Sequence, residues 1–344
     1  MACLQPPLAS ARHPLNPCNP APARRVSPGV TIRVLLLLAL GGPLPTAAEV
    51  PIQSEAYSAF YNLDYDRALA LFERETTQNP QDPEAWNHLA HGLLHRRLFL
   101  AGGMSSELVS SNESLLKRPK LDMPPDEEKR FIEAVERSMD LCRRRLKVRK
   151  DDPVALYALG VAHAHRAKYH LLVRKAHFDA LRDGNRSRGH HNRLRQVDPA
   201  HPDALLIPGM HEYIASKLSP FVRFMAAMAG FSGNRERAIR LLEESVRRGR
   251  KTGVEARLLL ALTFHREKLP HRALPLMRDL STAFPRNYLY RGEVVLLQAH
   301  AGERDAAVQN FARLQADTEN PVPAPHLLRI KQHLDRLAGE EALR

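Results

Sequence analysis

Along most of this chain, apolar and small residues return every three or four positions, with polar residues filling the intervals. Ala68, Leu71 and Phe72 form one such set ahead of Asn79-Pro80, and Trp86, Leu89, Ala90 and Leu93 open the next. Leu156, Leu159, Gly160 and His163 follow Asp152-Pro153 in the same way. Ala256, Leu260, Ala261 and Phe264 lead into Ala273, Leu274 and Met277, which end at Phe284-Pro285-Arg286-Asn287. Spacings of three, one and three place each set on one face of a helix. The prolines between sets stop one helix and let another begin. A shift of 34 residues carries Ala273 onto Ala307 and Met277 onto Phe311. A period of that length marks stacked helical hairpins. Hairpin units are expected near 49–82, 83–152, 153–202, 203–253, 254–287 and 288–321, the last two close to regular.

The pattern breaks in three places. Between Leu93 and the next second helix, expected from Phe131 to Leu146, lies an insertion near 97–128 containing Gly102-Gly103 and Pro124-Pro125. Insertions in such arrays gather on one face, often the binding face. This one either packs down through Leu108, Leu115 and Leu116 or folds over the groove formed by the first helices. The polar run 184–202, with Gly184, Gly189 and His190-His191, reads as a turn and a short polar helix with exposed histidines. Pro208-Gly209 must start, end or kink a helix. Phe221 to Ala229 is apolar and closes at Gly230 to Asn234. From 322 to 344, Leu327, Ile330, Leu334 and Leu337 share a face, as in a helix capping the last repeat.

These small, aromatic and proline positions resemble the tetratricopeptide repeat. Trp86, Leu89, Ala90 and Leu93, and again Leu159, Gly160 and His163, match the first-helix pattern; Ala68, Phe72 and Pro80 match the second. At Gly160 the resemblance implies a close approach of neighbouring helices. The chain is similar to uncharacterised bacterial exported tetratricopeptide-repeat proteins, and more distantly to a eukaryotic repeat family associated with the outer mitochondrial membrane. The implied fold is all-α, a right-handed superhelical array of helical hairpins over 49–321. The implied function is a non-enzymatic protein-interaction scaffold or assembly factor acting through a concave surface. The resemblance carries no established activity.

The first 48 residues stand apart. Seven prolines fall before Val30, and Arg33 is followed by a short leucine-rich run, a Gly-Gly-Pro breaker and small residues up to Ala48. That layout predicts a signal peptide cleaved after Ala48 or Ala47, and export to the periplasm or cell envelope. Residues 1–29 read as an over-extended start. The acid-free segment also admits a mitochondrial-type presequence. Composition then changes little: 44% apolar and only 6% aromatic residues suit helices packed through Leu and Ala better than sheets. The net charge is +13; four arginines but no acid lie in the first 48 residues, so the remainder carries +9. Two of the three cysteines are also there, leaving Cys142 alone and no internal disulfide.

Candidate chemistry rests on histidine. His88, His91 and His95 share one side of a helix, with His91 and His95 expected toward the concave surface beside His165 of the next hairpin. With Tyr61 and Tyr169 they form the expected partner or ligand groove. The alternative function is a small-ligand or metal-binding sensory module using this groove. No acid can be placed beside these histidines from sequence, no Cys pair exists, and His211-Glu212 lacks a second histidine four residues on. No catalytic residue, metal or cofactor is therefore expected. Basic runs at Arg143–Lys150, Arg182–Arg195 and Arg247–Lys251 lack interleaved aromatics for base stacking. They suit an acidic protein or peptide partner, or peripheral contact with a membrane surface, rather than nucleic acid.

Overall fold

The computed structural model describes residues 54–104, 119–218, 223–224, 228 and 232–342. The leader, the centre of the insertion and most of the Phe221–Ala229 stretch lie outside the described residues. Among those described are thirteen α-helices and no strand. They pair as α1 (Glu55–Tyr61) with α2 (Tyr65–Gln78), α3 (Pro83–Leu100) with α4 (Pro125–Val148), and α5 (Pro153–Tyr169) with α6 (His177–Val197). Next come α7 (Leu206–Ser216) with α8 (Arg235–Arg248), α9 (Gly253–Arg266) with α10 (Pro270–Ala283), and α11 (Tyr288–His300) with α12 (Arg304–Ala316). A last helix, α13 (Ala324–Ala342), packs on α11. The fold is an all-α array of helical hairpins.

Local chemistry sets the helix starts. Asp82 and Asp152 each precede a proline at the first helical position, and each carboxylate accepts a backbone N–H of the first turn, from Glu84 at 2.9 Å and Ala155 at 3.0 Å. Asn234 caps α8 and Asn287 caps α11 in the same manner. The second helices bury one stripe: Ala68, Leu69 and Phe72 on α2, Ala273, Leu274, Met277 and Leu280 on α10. The first helices are covered on more than one side, so α3 buries Ala85, Asn87, Leu89, Ala90, His91, Leu93 and Leu94 together. Trp86 is only half-buried, its indole N–H donating to the Pro80 carbonyl. Phe311 is likewise half-buried against the α11–α13 core, where Ile330 is sealed and Leu327 and Leu334 pack beside it.

Three expectations are corrected. α3 runs to Leu100 and α4 starts at Pro125, so the inter-helix segment is 101–124. Asp126, Glu127 and Glu128 in the first turn of α4 favour that earlier start. The described flanks of the insertion are tied down: the Tyr65 hydroxyl donates to Met104 Sδ, and the Leu121 N–H to the Leu172 carbonyl. The 184–202 run is not a turn. α6 continues through Gly184 and Gly189, each costing only about 1 kcal/mol in a helix, because Asp183, Ser187, His191 and Leu194 anchor its inner face. His191 is therefore fully buried rather than exposed. It occupies the space left by Gly160, where a Cβ would overlap its ring.

The array also closes on itself. The Asn287 side-chain N–H donates to the Tyr61 carbonyl at 2.7 Å, and the Arg286 N–H to Asn62 Oδ1 at 3.1 Å. Tyr61 packs on Phe284, Phe99 on Tyr288, and Lys251 pairs with Glu84. The concave face expected to stay open is walled by the last hairpins, which join the first ones in one continuous core.

Candidate functional site

Closure brings five first helices around a cavity of about 100 Å³, α7 contributing Leu206 and Ile207, with the paired Glu84 and Lys251 also in its lining. α3 supplies Asn87, His88 and His91; α5 supplies Tyr157, His165 and Lys168; α9 supplies Glu255; α1 supplies Tyr57. The start of α9 is fixed by Asp203. Its Oδ1 accepts the backbone N–H of Arg250, Lys251 and Thr252 at 2.8 to 2.9 Å, and the Thr252 hydroxyl at 3.0 Å. That loop sets Glu255 in the first turn of α9, where the helix dipole favours an anion.

His91, His95 and His165 do converge. The His91 ring centroid lies 4.1 Å from that of His95 and 5.3 Å from that of His165, with Phe60 edge-on to His91 at 4.7 Å. Burial pushes His91 and His165 well below the ordinary histidine value; the neighbouring His95 lowers His91 further, and Lys168 lowers both. Burial and Lys168 likewise bring His95 down to about 3. All three imidazoles are neutral at pH 7. His95 Nδ1 donates to the His91 carbonyl, as a neutral ring can. His165 is 4% exposed, and neither of its ring nitrogens has a partner.

The other expected groove residues go elsewhere. Tyr61 is buried at the closure, where its hydroxyl approaches Glu255 without completing a hydrogen bond of ordinary geometry. Tyr169 stacks on Phe131 at 5.2 Å and donates to Glu128, away from the cavity. His163 and His170 turn toward α6, where Asp183 holds them. His88 Nδ1 meets the Glu75 carboxylate at 3.1 Å.

No acid is expected near the histidines from sequence, and the structure supplies several: Glu75 beside His88, and Glu84 and Glu255 in the cavity lining. Burial raises the Glu255 pKa, an effect opposed by Tyr61, Lys168 and His88, and Glu255 Oε2 has no partner. Lys168 is ringed by protein, which lowers its pKa, yet its side chain stays wetted. It marks the side where the cavity meets water. Asn87 and Lys168 carried a readable signal: Asn87 lies one turn before His91, and Lys168 one turn after His165, on otherwise apolar helix faces. Glu255, 90 residues further along, carried none. Among the described residues no three His, Cys, Asp or Glu side chains are arranged to hold a metal ion, and no helix is long and apolar enough to cross a membrane. The cavity's chemistry is hydrogen bonding and charge: an ammonium, a carboxylate, an amide oxygen and neutral imidazoles around one small space.

No protein-family model matches this chain, and no curated protein does. Among solved structures it is similar to yeast Tom70, with 13% identity, a TM-score of 0.33, and coverage of 88% of this chain and 68% of that one.

Proposed function

We propose that this protein is a non-enzymatic interaction scaffold or assembly factor, exported to the periplasm or cell envelope, whose partner is an acidic protein or peptide. Hairpin arrays present long continuous surfaces and commonly work by binding. Closure changes which surface is offered. With the first helices turned into an enclosed centre, an extended partner meets the outer helices.

The observation that carries the reading is the outward side of α6. Phe178 is 90% exposed and Leu181 42%, three residues apart on one helical face. The same helix holds five arginines against two aspartates, one of which, Asp183, is turned inward. An apolar pair beside a basic helix suits a partner with both apolar and acidic side chains. Arginines are answered within the chain on α6 and beyond it alike: Arg182 by Asp179, Arg186 by Asp183 and Arg193 by Asp151. Elsewhere Arg144 is answered by Asp140, Arg145 by Asp152, and Arg247 and Arg248 by Glu244, so the exposed apolar pair carries the reading.

The test is affinity capture from the native envelope with the chain from residue 49, compared with a Phe178→Ser/Leu181→Ser variant and an Arg182→Glu/Arg195→Glu variant. The expected result is one specific protein, lost with both variants and released by moderate salt. Identical capture by all three chains would remove α6 as the docking face. Sedimentation with anionic vesicles, abolished by the same variants, would replace a protein partner by a membrane surface.

A further inference from the structure

We propose that the central cavity is a binding site for a small zwitterion, a molecule carrying one ammonium and one carboxylate, of the size of an α-amino acid. The site is separate from the outer face of α6 and does not depend on it.

Folding has buried several polar atoms in this protein and left them without partners. A buried donor or acceptor with no partner costs on the order of 1–3 kcal/mol, and proteins keep few of them. Here several face one cavity: Asn87 Oδ1, Glu255 Oε2 and both ring nitrogens of His165. The Asn87 orientation is fixed, because its Nδ2 donates to the Ala158 carbonyl at 2.9 Å. Its oxygen is thus left as an acceptor. Glu255 adds a second acceptor, and a neutral His165 offers one acceptor and one donor. Two or three acceptors match the three N–H groups of an ammonium. Lys168 and the remaining imidazole N–H match a carboxylate.

Charge makes the choice between ligand classes. Glu84 and Lys251, which also line the cavity, pair with each other and leave Lys168 and Glu255 to meet a ligand's charges. A plain organic anion would gain Lys168 but face Glu255. A plain amine would gain Glu255 but face Lys168. A zwitterion gives each charge its opposite. Burial raises the Glu255 pKa and lowers that of Lys168, and a ligand charge of opposite sign beside each would favour its charged form.

Size limits the ligand. About 100 Å³ exceeds the roughly 30 Å³ of one water and falls below the roughly 150 Å³ cavity that admits benzene. An ammonium, one carbon and a carboxylate fit such a space. The wetted Lys168 side lets a substituent on that carbon point outward. Tyr57, Tyr157 and the imidazoles supply aromatic walls, which also favour an ammonium.

The experiment is calorimetric titration of the chain from residue 49 with L-alanine, L-serine and glycine, alongside ethylamine and propionate as half-ligands. At least one amino acid is expected to bind saturably and raise the melting temperature, with each half-ligand at least about tenfold weaker. Lys168→Met and Glu255→Gln should each weaken binding by about tenfold or more while circular dichroism stays unchanged. His165→Leu, which removes both ring nitrogens from the wall at nearly constant volume, should weaken binding by about tenfold or more and serves if either charge variant misfolds. The proposal is overturned if no amino acid binds, leaving a cavity that holds water only. It is equally overturned if propionate or ethylamine matches alanine, or if all three variants bind as the parent does.

Discussion

His163 and His165 stand two residues apart on α5, and both are buried, yet their surroundings are opposite. His163 faces α6, where its Nδ1 meets Asp183 Oδ1 at 2.9 Å and its ring stacks on His190. Asp183 also accepts two hydrogen bonds from Arg166, at 2.8 and 2.9 Å, and lies 3.5 Å from His170. The His163 Nδ1, the Arg166 guanidinium and the Asp183 carboxylate are all answered. His165 faces the cavity, where neither nitrogen has a partner. One helix thus separates polar burial that completes the structure from polar burial that leaves it incomplete. The first kind joins two helices. The second is tolerated only where something else can supply the missing bonds.

The comparison breaks most readily on its sealed side. Asp183→Ala leaves the buried His163 imidazole without its partner and the half-buried Arg166 with Glu136 alone, so unfolding in urea should show a loss of about 3 kcal/mol. A loss below about 1 kcal/mol would mean that this network does not join α5 to α6.

Acid acts on both sides at once. Burial holds His191 at about 4 and His95 at about 3, against 6.5 for a free imidazole. The unfolded chain therefore binds more protons below pH 6.5, and stability is fully present above that value. It should fall as pH drops from 6.5 toward 4, by up to about 1.4 kcal/mol per pH unit for each such histidine. Burial alone would raise Asp183; its hydrogen bonds with His163 and then Arg166 overcome this and hold it well below the carboxylate range. Its share of stability is lost only below the ordinary carboxylate pKa. Denaturation midpoints across pH 7 to 4 check the window, and a flat profile would contradict the burial of these rings.

Gly160→Val places methyl groups where the His191 ring sits, and should cost about 1–3 kcal/mol in the same assay. The smallest effect belongs to the open side. His165→Leu removes two unsatisfied nitrogens and should leave stability within about 1 kcal/mol of the parent, in either direction. A loss as large as that of Asp183→Ala would show that His165 has structural partners after all.

How much of this could be read in the sequence depends on how far apart the interacting residues are. The hairpin fold was legible because its signals are local: Asp-Pro starts, small residues at crossing points, one apolar stripe per second helix. The meeting of His91, His95 and His165 was legible too, since equivalent positions on successive first helices face the same way. α6 was misread because two glycines and a run of arginines look like loop, while what holds it straight is the packing of His191 against Gly160 on another helix. Glu255 and the closure were not legible at all. Asn62 and Arg286 are 224 residues apart, and neither shows a pattern that announces the other. Closure is what turns an inner face into a cavity, so Glu255 was hidden along with it.

Chemical cross-linking tests that closure. In a chain from residue 49 with Cys142 replaced by alanine, Asn62→Cys and Arg286→Cys place two thiols on segments that touch at 3.1 Å. A short bismaleimide should join them rapidly within the monomer, with the far-ultraviolet spectrum unchanged. A folded monomer that resists this cross-link, while a pair on neighbouring helices reacts, would mean that the array is open and that the cavity does not exist.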